Sequence, residues 1–87
     1  MNGIPAFNRG FRLRHDTVRG AWVVLAPERL FLLDEPAVEV LKLVDGARSV
    51  PAIVDTLAAR FDAPRAAIAA DVEAMLQDLS DKGAIRL

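Results

Sequence analysis

The chain contains no cysteine. That absence excludes a disulfide framework, a thiol nucleophile and thiolate zinc sites, and it suits a reducing cytosol, so a cytoplasmic protein is expected. No apolar run approaches the roughly 20 residues that span a bilayer, and no membrane partner is expected. The opening residues, Met1-Asn2-Gly3-Ile4-Pro5-Ala6-Phe7, lack the charged-then-apolar order of a secretory signal. Glycine-rich phosphate loops are missing too. The single histidine, His15, stands beside Asp16, but adjacent strand residues point to opposite faces and make a poor general-base pair. One histidine without cysteine furnishes no converging metal set. These gaps argue against an enzyme and against any cofactor held by the chain itself.

What is present describes one small globular domain. The 87 residues are near the lower size at which a single core suffices, and 53% apolar against 26% charged residues is a folded composition. Fifteen residues are alanine, mostly after residue 47, which favours helix in the second half. The net charge of −1 conceals an asymmetry. Residues 1–33 hold five Arg against Asp16 and Glu28, a balance of +3; residues 34–87 hold six basic and ten acidic side chains, a balance of −4. A basic strand half faces an acidic helical half.

Residues 1–10, broken by Gly3, Pro5, Asn8 and Gly10, read as a mobile lead-in, and residues 11–87 as the domain. Phe11 to Asp16 alternates apolar and polar, a first strand with Arg12 and Arg14 on one face. After a turn holding Gly20, Trp22–Ala26 and Leu30–Leu33 are apolar runs split by Pro27-Glu28-Arg29, a hairpin. Together they predict a three-stranded antiparallel meander with the first and third strands at its edges. The hairpin barely alternates, so helices alone do not account for both of its faces and its outer edge.

Three helices follow. Asp34-Glu35-Pro36 starts the first, Ser49 with Pro51 starts the second, and Asp62-Ala63-Pro64 repeats the signal for the third, running to about Lys82. Asp45-Gly46 and Gly83 stop the first and third. The buried stripes expected are Ala37, Val38, Leu41 and Val44; Ile53, Val54, Leu57 and Phe61; and Ile68, Val72, Met75, Leu76 and Leu79. Ala84 to Leu87 reads as an extended tail. The fold class is therefore α+β and winged-helix-like, a three-stranded antiparallel sheet followed by three helices.

Helix-turn-helix proportions raise a small winged-helix DNA-binding protein as one alternative. The third helix carries Arg65 and Lys82 against Asp71, Glu73, Asp78 and Asp81, the wrong sign for approaching phosphates, so no nucleic-acid partner is expected. Peptide binding fits better. Natural edge strands are normally blunted by charge or proline, and Leu30-Phe31-Leu32-Leu33 has neither. Such an edge accepts an extended segment as a further strand. The residues leave open two other fates for it: cover by the chain's own tail or third helix, or pairing in a homodimer, which would make the chain a homodimerisation module. On the third helix, 100° steps put Asp71, Asp78 and Lys82 on one margin of the buried stripe with Ala67 and Ala74 nearby, while Met75 adapts its shape. These residues make a second wall.

Phe11-Arg12-Leu13-Arg14-His15-Asp16, then Arg19 to Arg29 (Arg-Gly-Ala-Trp-Val-Val-Leu-Ala-Pro-Glu-Arg), resembles the PqqD family. Asp45-Gly46, Phe61-Asp62-Ala63-Pro64 and Leu79-Ser80-Asp81-Lys82-Gly83 extend the likeness over roughly residues 9–87. The resemblance implies a non-enzymatic peptide chaperone of pyrroloquinoline quinone biosynthesis, the standalone form of a recognition element for ribosomally made, modified peptides. It implies two partners: the precursor peptide PqqA and the radical S-adenosylmethionine enzyme PqqE, which cross-links a Glu and a Tyr of that peptide. It further implies that the peptide adds as a strand at the third-strand edge, in the cleft against the third helix. Carried onto this chain, the cleft is Leu30, Phe31, Leu32 and Leu33 facing Asp71, Ala74, Met75, Asp78 and Lys82. The iron–sulfur chemistry would belong to the partner enzyme.

Overall fold

A computed structural model describes all residues, 1–87. Its elements in chain order are β1 (Ala6–Phe7), β2 (Arg12–Asp16), β3 (Ala21–Leu25), β4 (Leu30–Leu32), α1 (Glu35–Leu41), α2 (Val50–Phe61), α3 (Arg65–Asp81) and β5 (Ile85–Arg86). Strands β2, β3 and β4 form the antiparallel meander in sequence order, so β2 and β4 are its edges. Val24 sits opposite Leu13 on one side and Phe31 on the other, and these three share the face that packs on the helical core.

The helices start where their capping residues dictate. The Asp34 carboxylate accepts from the Ala37 N–H at 2.9 Å, and the Ser49 hydroxyl accepts from the Ala52 N–H at 3.2 Å, each followed by proline in the first turn. The third start differs from expectation. Pro64 occupies the cap of α3 and supplies no side-chain acceptor, while Asp62 ends α2 in the left-handed conformation, φ 49°. Leu41, Val50, Ile53, Val54, Leu57, Val72, Leu76 and Leu79 interlock in one core, which Ala84 and Ile85 complete. Phe61, expected in the stripe of α2, is 53% exposed at its last turn.

Residues 1–10, expected to be a mobile lead-in, lie in contact with the domain. Ala6 and Phe7 pair antiparallel with Arg86 and Ile85, the Asn8 N–H donates to the Ala84 carbonyl at 2.9 Å, and the Val50 N–H donates to the Gly3 carbonyl at 2.9 Å. Pro5 is buried and Phe7 packs against the core. The tail after α3 is short and apolar at Ala84 and Ile85, and the arm supplies it with a strand partner. That pairing lies in a separate two-stranded sheet, so the tail leaves β4 uncovered.

Candidate functional site

The outer edge of β4 has no strand partner. Its free groups can be assigned from the hairpin. The Ala26 N–H donates to the Arg29 carbonyl at 2.9 Å, so that pair is hydrogen-bonded and the pairs beyond it alternate. Phe31 opposite Val24 therefore spends its N–H and C=O on β3, whereas Leu30 and Leu32 turn theirs outward.

The C-terminal end of α3 meets the start of β4. The Arg29 guanidinium donates to the Lys82 carbonyl at 3.2 Å, and the Lys82 ammonium lies 6.0 Å from the centre of the Phe31 ring, held there by Asp78 at 2.8 Å. Arg29 covers the same ring at 4.7 Å. Those contacts close one end of the space between β4 and α3. At the other end, past Leu33, a groove of about 620 Å³ opens between α3, α1, the last turn of α2 and Trp22 of β3. Its floor is apolar: Val38, Leu57, Phe61, Ile68, Val72 and Met75. Glu35, Glu39 and Asp71 stand on its rim. Trp22 is held by the Lys42 ammonium at 4.8 Å and by the edge of His15, with ring centres 5.2 Å apart.

The nine residues expected at the cleft distribute unequally. Phe31 and Leu33 are half-buried against the core, and Leu30 and Leu32 direct their side chains to the opposite face of the sheet, so at the cleft they offer main chain. Lys82 approaches Phe31 at the closed end, and Asp78 is bonded to the Lys82 ammonium. Asp71 and Met75 line the open groove, and Ala74 is exposed on α3 between the two ends. The sequence reading missed Trp22, Pro36, Val38, Phe61 and Ile68 as groove residues. A signal existed for Phe61, a large aromatic at a helix end, but helical periodicity assigned it to the core. No three His, Asp or Glu side chains converge closely enough to hold a metal ion.

The family model described as "Coenzyme PQQ synthesis protein D (PqqD)" matches residues 21–85, which include β3, β4 and every helix. The chain belongs to the PqqD family. Relatives include a "PqqA binding protein" of Rhodopseudomonas palustris (strain HaA2), 60% identical over 79 residues that cover 91% of this chain and 78% of that one. Another, from Gluconobacter oxydans (strain 621H), is 48% identical over 94% of this chain and 85% of its own. Among solved PqqD structures, the PqqD truncation of Methylobacterium extorquens PqqCD, described as a functional stand-alone recognition element, superposes with a TM-score of 0.80. It is 48% identical, with 95% of this chain and 88% of that one covered. PqqD from Xanthomonas campestris superposes at 0.65 with 44% identity, covering 94% and 91%. The three-stranded sheet and three helices read from the sequence are thus the PqqD fold.

Proposed function

We propose that this PqqD-family chain is a non-catalytic peptide adaptor of pyrroloquinoline quinone synthesis. It captures the precursor peptide PqqA as a strand added to β4 and presents it to the radical S-adenosylmethionine enzyme PqqE. The observation that carries this reading is the free edge of β4: outward main-chain groups at Leu30 and Leu32, with no charge or proline to blunt them, and the C-terminal end of α3 close by at Lys82. Relatives named for binding PqqA and a relative described as a stand-alone recognition element support the choice of peptide.

The energetics suit reversible capture. Main-chain hydrogen bonds and apolar contacts in the groove supply the affinity, so it changes little with salt. The Arg29–Lys82 closure limits the added strand at the start of β4, and the groove beyond Leu33 receives side chains from its other end. Titrating labelled protein with PqqA and following amide shifts by NMR tests the site. Shifts concentrated at Leu30–Leu33, at Asp71–Lys82 and at the Trp22 indole are expected. Shifts confined to β2 or the exposed side of α2, or none at all, would overturn the reading.

A further inference from the structure

The sheet has a second face that the helices do not use. Strand register places Arg12, Leu25 and Leu30 in one row across it and Arg14, Val23 and Leu32 in the next. Each row begins with a guanidinium on β2 and ends with a leucine on β4. None of these six side chains belongs to the helical core cluster, although Val23 is itself fully buried and Leu25 and Leu30 are half-buried. Leu32 is 70% exposed, and Val18, in the turn between β2 and β3, is 94% exposed. A shallow hollow of about 230 Å³ lies between that turn and the Arg14–Val23 row, with Leu25 on its wall.

Charge pairing on this face differs from that of the helical segment. From Lys42 to Lys82 every Lys and Arg has a carboxylate within 4.0 Å: Lys42, Arg48, Arg60, Arg65 and Lys82. Arg12 and Arg14 have none. The sole acid of the three strands, Asp16, is engaged by Arg19 at 2.8 Å and by the turn amides of Val18 and Arg19. The accessible part of the face is therefore Leu32, the half-buried Leu25 and Leu30 and the turn at Val18, with uncompensated positive charge along one side. Guanidinium groups suit carboxylates, which they grip in pairs.

We propose that this outer face docks an acidic protein surface with an apolar centre, presented by the enzyme that modifies the captured peptide. The inference rests on the adaptor reading above. A strand added beyond β4 leaves the outer face open, so peptide and enzyme are held together without competing. Leu30 and Leu32 end the two rows beside the added strand, which places the docked enzyme against the peptide itself. Rim arginines steer encounter and set salt sensitivity more than they set contact area. Enzyme docking is therefore salt-sensitive where peptide capture is not.

The test uses the double variant Arg12→Glu/Arg14→Glu and, separately, Val18→Asp, whose turn position makes no packing contribution to the core. Binding of labelled protein to PqqA is measured first, then binding of the peptide-saturated protein to PqqE at low and high salt. Both variants are expected to keep wild-type affinity for PqqA within about twofold. The double variant is expected to lose about tenfold or more in PqqE affinity at low salt and most of its salt dependence. Arg12→Lys/Arg14→Lys is expected to restore the greater part. PqqE affinity within twofold of wild type in both Arg12→Glu/Arg14→Glu and Val18→Asp overturns the proposal. So does a wild-type protein that binds PqqA but not PqqE, or a charge reversal that abolishes only self-association in light scattering. Failure of the wild type to bind PqqA at all would instead sink the adaptor reading.

Discussion

Asp62 is the one non-glycine residue with positive φ, 49°, in the chain. The left-handed conformation brings Cβ against the following carbonyl, a cost glycine avoids, and a helix C-terminus is where glycine is most often placed. Asp62→Gly is therefore expected to raise stability by about 0.5–1 kcal/mol in urea unfolding, with the slope unchanged. Two other aspartates tie turns. Asp16 lies below its ordinary value of 3.8 because the Arg19 backbone N–H and then the Arg19 side chain hydrogen-bond to its carboxylate. Asp45 is lowered first by the Arg48 backbone N–H, then by that of Ala47. A folded-state pKa depressed below the unfolded one gives stabilisation that is complete above the unfolded value and fades as pH falls towards the folded one. The melting temperature should thus lose these contributions only as pH drops from about 4 downwards. Asp16→Asn/Asp45→Asn should flatten that acid limb, read by circular dichroism across pH.

At the level of the element, β4 shows why pattern alone could not orient a strand. Leu30, Phe31, Leu32 and Leu33 are all apolar, so period two carries no information about which side chain faces the core. The register does. Phe31 faces inward and bonds to β3 through its main chain; Leu32 faces outward with its amide at the free edge. Leu32→Pro is expected to keep the fold and weaken PqqA capture about threefold to tenfold, the loss of one net hydrogen bond. Phe31→Pro is expected to damage the sheet itself, since it removes the bond to Val24. Equal PqqA affinity for Leu32→Pro and wild type, by calorimetric titration, would contradict strand addition at this edge. Helix α3 was legible in its length and buried stripe, with Val72, Leu76 and Leu79 buried as its spacing predicts. Its expected start at Pro64 lies within one residue of the observed Arg65, but Asp62 does not cap it, because the preceding helix ends on that residue.

For the whole molecule, the arm at residues 1–8 is the least legible part. Breakers at Gly3, Pro5 and Asn8 suggest a loose end, yet the tail after α3 needs a partner and the arm provides it. Removing residues 1–8 strips the β1–β5 pairing, the buried Pro5, Phe7 and the Asn8 bonds to Ala84 and Gly83. A loss of about 2 kcal/mol follows, which lowers the melting temperature of a domain this size by roughly 10 °C. PqqA affinity should be nearly unchanged after truncation at a temperature where the domain stays folded, because the arm pairs with β5 and not with β4.

The sequence by itself determined the order of the three meander strands and three helices, the two capped helix starts, the charge asymmetry between halves, and a β4 strand without charge or proline. These are local properties: capping, periodicity and composition act over a few residues and leave their mark in the residues themselves. Tertiary structure alone decided which face each hairpin side chain takes, that the tail pairs with the arm and leaves β4 free, and that Trp22, α1 and Phe61 build a groove at the end of the cleft. Those outcomes depend on strand register and on how helices distant in sequence pack together. An all-apolar hairpin is compatible with either facing until the core chooses one.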